Sequence, residues 1–221
     1  INKASFFTKS MEEYKKIDNF GRSVIQKNPT YLRIGEIYLT LGLNARDFAG
    51  DENQSEKYLL TGLEITPKNS PLIYHFKVAL AEHFYTTKNF SKSELYYQDV
   101  VKNKENEMLT KHLHNYAWCL IQSNKLEYAL KIVHYGYALS EVKNNTNKKY
   151  YADMKEPLLY TSAYLYLATK KIEEGISFIS KNASAPGEFL VNFAYKNLEI
   201  GDQSKTKLIL DSSKNICIQK I

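Results

Sequence analysis

Apolar side chains recur at spacings of three and four residues along nearly the whole chain, and short polar clusters interrupt them at intervals. That period is the signature of amphipathic helices joined by turns. It predicts helix pairs over 4–15/17–27, 30–42/54–65, 71–87/91–103, 107–123/126–139, 156–169/173–182 and 187–199/203–218. No segment alternates as a strand does, so the expected class is all-α. Pro29, Pro71, Pro157 and Pro186 fall at or near predicted helix starts, where a missing N–H costs little. Two stretches break the rhythm: the insertion 44–54 (NARDFAGDENQ) and the Asn/Lys-rich 140–155 (SEVKNNTNKKYYADMK).

Small residues punctuate the apolar stripes. In KLEYALKIVHYGYAL, Ala129 and Gly136 stand in an otherwise bulky helix. Glycine there costs about 1 kcal/mol relative to alanine, so a close contact is expected in return. Small residues recur at one position of the first helix of each pair, as Gly35, Ala81, Ala117, Ala163 and Ala194. They recur again early in the second helix, as Ser55, Ser93, Ala129, Gly175 and Thr206. Turns fall between the two sets, at Gly42, Lys88, Asn124, Lys170 and Gly201. Side chains this short let helix axes approach to about 8–10 Å.

The pattern resembles the tetratricopeptide repeat family. The first copy matches best, as Tyr31-x2-Ile34-Gly35-x2-Tyr38…Ser55-x3-Leu59…Pro67. Trp occupies none of the consensus Trp positions, the copies differ in length, and two carry insertions. The resemblance implies a right-handed solenoid of antiparallel helix hairpins, about five repeats preceded by a degenerate N-terminal hairpin, as one domain over 1–221. It also implies that the first helices of the pairs line a concave groove. The stripe facing that groove reads Leu32, Glu36; Val78, Glu82; His114, Trp118, Ile121; Tyr160, Tyr164, Leu167; and Val191, Tyr195, Leu198. Its central position runs Glu36, Glu82, Trp118, Tyr164, Tyr195, acidic first and aromatic later. Trp and Tyr are the composition of a binding hot spot, and the groove suits an amphipathic helix or an apolar segment. It lacks the lysines and arginine with which some family members clamp a peptide carboxylate. The opposing reading buries these rings inside the fold.

Composition narrows the field. Net charge is +6, but only three of the 30 basic residues are arginine, against a phosphate-reading surface, so nucleic acid is disfavoured as partner. No apolar run reaches the length of about 18 residues that a membrane span needs. Cys119 and Cys217 stand far apart and read as small buried hydrophobes. The five histidines show no metal-ligand spacing, and no phosphate loop or nucleophile motif occurs, so neither cofactor nor catalysis is expected. The chain begins at Ile1 rather than Met, with Phe6 and Phe7 near one end and Ile216, Ile218 and Ile221 at the other. Apolar ends on a solenoid lead us to expect a piece of a longer protein, or self-association through the ends. The expected function is a non-catalytic interaction scaffold or adaptor, by family analogy in a bacterial envelope, motility or secretion assembly, hence cytoplasmic or periplasmic. The alternatives are a peptide-binding chaperone or regulator, and a helical-repeat RNA-binding protein.

Overall fold

A computed structural model of the chain describes residues 3–103, 107–141, 153–199 and 203–218; of these, the side chains of 3–10 and of Cys217 lie outside the description. Every regular element among them is helical. The helices are α1 (Lys3–Lys27), α2 (Ile34–Asn44), a π-helical turn (Ala45–Ala49), α3 (Glu52–Ile65), α4 (Leu72–Thr86), α5 (Phe90–Val100), α6 (Leu109–Gln122), α7 (Leu126–Ser140), α8 (Lys155–Ala168), α9 (Ile172–Asn182), α10 (Pro186–Glu199) and α11 (Gln203–Ile218). They form two compact units, Ile1–Asn103 and Lys104–Ile221. Within each unit a helix packs on its chain neighbours, and α2 also meets α4, α6 meets α8, and α9 meets α11. None is long and apolar enough to cross a membrane.

Three hairpins turn by one device. Lys88, Asn124 and Lys170 take the left-handed conformation, with φ of 61°, 57° and 61°. The next amide then donates back over the helix end: Asn89 to the Phe84 carbonyl (2.8 Å), Lys125 to Leu120 (2.8 Å) and Lys171 to Tyr166 (2.9 Å). These are Schellman ends, which satisfy carbonyls the helix would otherwise orphan. At α3 and α5 the following helix is capped by a side chain, Asp51 accepting from the Gln54 amide and Asn89 from Lys92.

Five positions beyond each left-handed residue comes a buried small one, Ser93, Ala129 or Gly175. A Cβ on Gly175 would stand 2.9 Å from the Tyr166 Cβ and 3.0 Å from the Phe193 ring. The small position is therefore a point of close helix approach. Ala81, Ala117, Ala163 and Ala194 are buried on the facing helices.

The first hairpin departs from the expected register. The helix does not turn at Gly42 but continues through the π turn to Gly50, the left-handed residue here (φ 64°). Ser55, five positions on, donates its hydroxyl to the Gly42 carbonyl at 2.8 Å. Ser93 donates to Ala81 in the same way and at the same distance. Gly42 is thus the counterpart of Ala81, and the π turn supplies the one extra residue between it and its turn. Gly35 is also buried, but against Thr66 and Leu72. The insertion 44–54 is the π turn, the Gly50 reversal and the start of α3, not a lengthened loop.

The expected hairpin over 4–15/17–27 is one continuous helix, α1. No Gly, Pro or Asn stands at residues 14–17 to end it. It is tied to α3 by Tyr58, which donates to Asp18 (3.0 Å), while Asp18 also accepts from Arg22 (2.7 Å). Most of the 140–155 stretch lies outside the described residues. Cys119 is fully buried, as a small hydrophobe would be.

Candidate functional site

The stripe one position beyond each small residue was the expected groove. The structure sorts it differently in the two units. In the first unit, Leu32 precedes α2 and is almost wholly exposed (95%). Glu36 lies in the first turn of α2 and pairs with Arg33 (Nε to Oε1, 2.9 Å). Both residues of that pair, with Tyr31, Ile17 and Phe20, border a cleft of about 370 Å3 between α1 and α2. With Gly42 as the small position, the stripe on α2 passes through Leu39, Leu43 and Arg46. At its end Arg46, in the π turn, stands 3.7 Å from Glu82 on α4. Arg46 also donates to Asp47 at 2.6 Å. An ion pair thus stands on this face.

In the second unit the stripe is aromatic. Tyr160, Tyr164, Val191, Tyr195 and Leu198 are each about half exposed, and Tyr195 most of all at 63%. The same helices bury Leu158, Leu165, Leu190 and Phe193 on their other faces. Ile121 and Leu167, assigned to the groove from sequence, are buried instead. Leu167 still forms part of the floor of a trough of about 550 Å3 between α8 and α10. Tyr160, Tyr164, Phe189, Asn192 and Tyr195 line its sides, and Lys196 and Glu199, paired at 2.9 Å, stand at its rim.

The rings support one another. Tyr160 lies on Phe189 with centroids 4.6 Å apart, and Trp118 lies on Tyr164 at 5.7 Å. Such pairs contribute about 0.5–1.5 kcal/mol beyond area burial. Trp118 is partly exposed, and its indole N–H donates to His114 Nε2 at 3.2 Å. The same nitrogen stands 3.1 Å from the Thr161 hydroxyl on α8. Burial holds the His114 imidazole below its ordinary proton affinity, and the neighbouring Asn115 side chain partly opposes that shift.

Phe189 and Asn192 were missed from sequence. They lie on an adjacent stripe with Lys196 and Glu199, turned toward α8 rather than along the expected line. The signal available was an apolar Phe189 in the first turn of a helix whose own core positions, Leu190 and Phe193, were already filled.

A second hollow, of about 700 Å3, opens between α7 and α9. Beside it His134 stacks on Phe178 (4.7 Å) and meets the Tyr166 hydroxyl at 3.0 Å. Burial lowers the His134 proton affinity, with Glu174 opposing. Among the described residues no three His, Cys, Asp or Glu side chains come together as a metal site would require.

Compared with known proteins, the chain matches no family model and no curated sequence.

Proposed function

We propose that the chain is a non-catalytic interaction module, and that the aromatic trough of its second unit holds an apolar segment of a partner protein. One observation carries this: the same two helices, α8 and α10, bury one face and leave Tyr160, Tyr164, Tyr195, Val191 and Leu198 exposed on the other. Rings offer large contact area with few rotatable bonds, and their hydroxyls satisfy a partner's polar backbone. An amphipathic helix or an extended apolar segment meets such a surface on equal terms. The recurrence of a left-handed turn followed five positions later by a small residue supports reading the chain as a tetratricopeptide-like array.

The test is a pull-down with wild type and Tyr195→Ala side by side, with helicity checked by circular dichroism. Tyr195 is exposed, so its truncation leaves the fold intact. A partner held in the trough is expected to lose about 2 kcal/mol of binding, roughly thirtyfold in affinity. Identical recovery of the same proteins by both forms refutes the proposal.

A further inference from the structure

We infer that His114 is a proton-controlled latch on Trp118, and thereby on the edge of the aromatic trough. The indole N–H only donates, so a nitrogen that accepts from it cannot itself carry a proton. His114 Nε2 accepts from Trp118. The histidine is therefore neutral in this arrangement, with its proton on Nδ1. The Thr161 hydroxyl donates to the Pro157 carbonyl one turn back (2.9 Å), which leaves its oxygen facing the same Nε2 at 3.1 Å.

Adding a proton to Nε2 creates one bond and breaks another. The new N–H has an acceptor waiting, Thr161 Oγ1, whose own hydrogen is already committed to Pro157. The Trp118 N–H then faces a donor and loses its partner. A partly exposed indole recovers a hydrogen bond by turning toward water. Turning shifts the indole against Tyr164, whose ring centroid lies 5.7 Å from its own, and Tyr164 lines the trough. The closed arrangement belongs to neutral histidine and the open one to the imidazolium.

Of the elements packed on α6, α8 presents Thr161 and Tyr164 to this pair, and α6 itself presents Asn115. Among the described residues, no carboxylate or ammonium of α6, α7 or α8 contributes to the shift of His114. Burial alone pulls its proton affinity down, so the latch opens on the acid side of the ordinary histidine range, below about pH 6.5.

That trough binding follows the latch rests on the interaction reading above; the latch itself does not. Trp118 is the one tryptophan in the chain, so intrinsic emission reports on it alone. Emission and far-ultraviolet circular dichroism are to be followed together from pH 8 to pH 4.5 on the full chain. Wild type is expected to show a one-proton change in emission, centred below pH 6.5, while helicity holds. His114→Gln, which keeps an acceptor but cannot titrate, is expected to be flat. Thr161→Val removes the acceptor for the protonated form and is expected to move the midpoint lower by half a unit or more. Flat emission in wild type, a change that appears only as helicity is lost, an equal change in His114→Gln, or an unmoved midpoint in Thr161→Val each overturns the latch. No partner enters the measurement, so failure of the latch and failure of the interaction reading are told apart.

Discussion

Gly62 and Gly136 each stand seven positions beyond the small residue of their helix, Ser55 and Ala129. Equivalent places should answer the same substitution oppositely. A Cβ on Gly62 would stand 2.4 Å and 2.5 Å from Phe76 ring carbons and 2.7 Å from the Tyr38 Cβ. Phe76 is fully buried, so the ring has nowhere to rotate, and Tyr38 Cβ is anchored to the α2 backbone. Overpacking of that kind costs about 1–3 kcal/mol, here at the upper end. Alanine returns about 1 kcal/mol of helix propensity. The net for Gly62→Ala is a loss of about 2 kcal/mol. At Gly136 the nearest atoms are Leu158 methyls at 3.2 Å and 3.4 Å, which can yield. Gly136→Ala is therefore expected between neutral and about 1 kcal/mol more stable. Urea melts followed by circular dichroism decide it. With slopes of about 1–3 kcal/mol per molar, the Gly62→Ala midpoint should fall by about 1 M at unchanged slope. A Gly62→Ala midpoint at or above wild type, or an equal loss in Gly136→Ala, refutes the reasoning.

Lys170 holds a left-handed conformation that costs an L-residue about 1–2 kcal/mol. Lys170→Gly should relieve it and, after the entropy of a freer unfolded chain, raise stability by about 0.5 kcal/mol; a lower thermal midpoint counts against the turn. Tyr58→Phe removes the hydroxyl bond to Asp18 and should cost about 1–2 kcal/mol. A double-mutant cycle with Asp18→Asn should show coupling, and none would place the tie elsewhere. Burial lowers the proton affinity of His83, His114 and His134. Between their folded values and about 6.5, the unfolded chain binds more protons than the native one. Stability from these groups is thus complete above about pH 6.5 and is lost as pH falls below it. Urea midpoints that stay equal at pH 7.5 and pH 5.5 contradict this.

Helix existence was legible because three- and four-residue spacing reports which side of a helix is buried, and nearly every predicted stripe became one. The turns at Lys88, Asn124 and Lys170 were legible too, although each needed a conformation that lysine and asparagine do not advertise. What failed was register in the first hairpin. Gly35 and Gly42 stand seven positions apart on α2, so apolar spacing does not choose between them, and the π turn that makes Gly42 the partner of Ser55 leaves no mark on that spacing. The error then moved the groove: Glu36 was aligned with Glu82, whereas Leu43 holds that place. Ile121 and Leu167 are buried although Leu198, at the same place in its stripe, is half exposed; Leu167 nonetheless lines the trough, so only Ile121 falls outside the open face. The break assumed within residues 15–17 had no turn chemistry behind it, and α1 runs through it.

The two units solve one geometric problem in different ways. A helix packed on both a partner and a neighbouring hairpin keeps a third face, and that face must be covered, charged or useful. In the first unit it is crossed by Arg46 and Glu82, each about four-fifths buried and 3.7 Å apart, with Arg46 also paired to Asp47. In the second it carries tyrosines that no charge satisfies and that remain half in water. Leaving such rings exposed forgoes about 25 cal/mol for each Å2 that could be buried. Tyr160 is already stacked on Phe189 and Tyr164 on Trp118, so a visitor would find these two rings in place. Association costs translational and rotational freedom and also the ordering of interface side chains, and a surface ordered in advance escapes part of the second cost. If the trough holds a partner as proposed, Tyr160 and Tyr164 meet it already stacked, and that preparation, more than their hydrophobicity, favours a contact over tolerated surface.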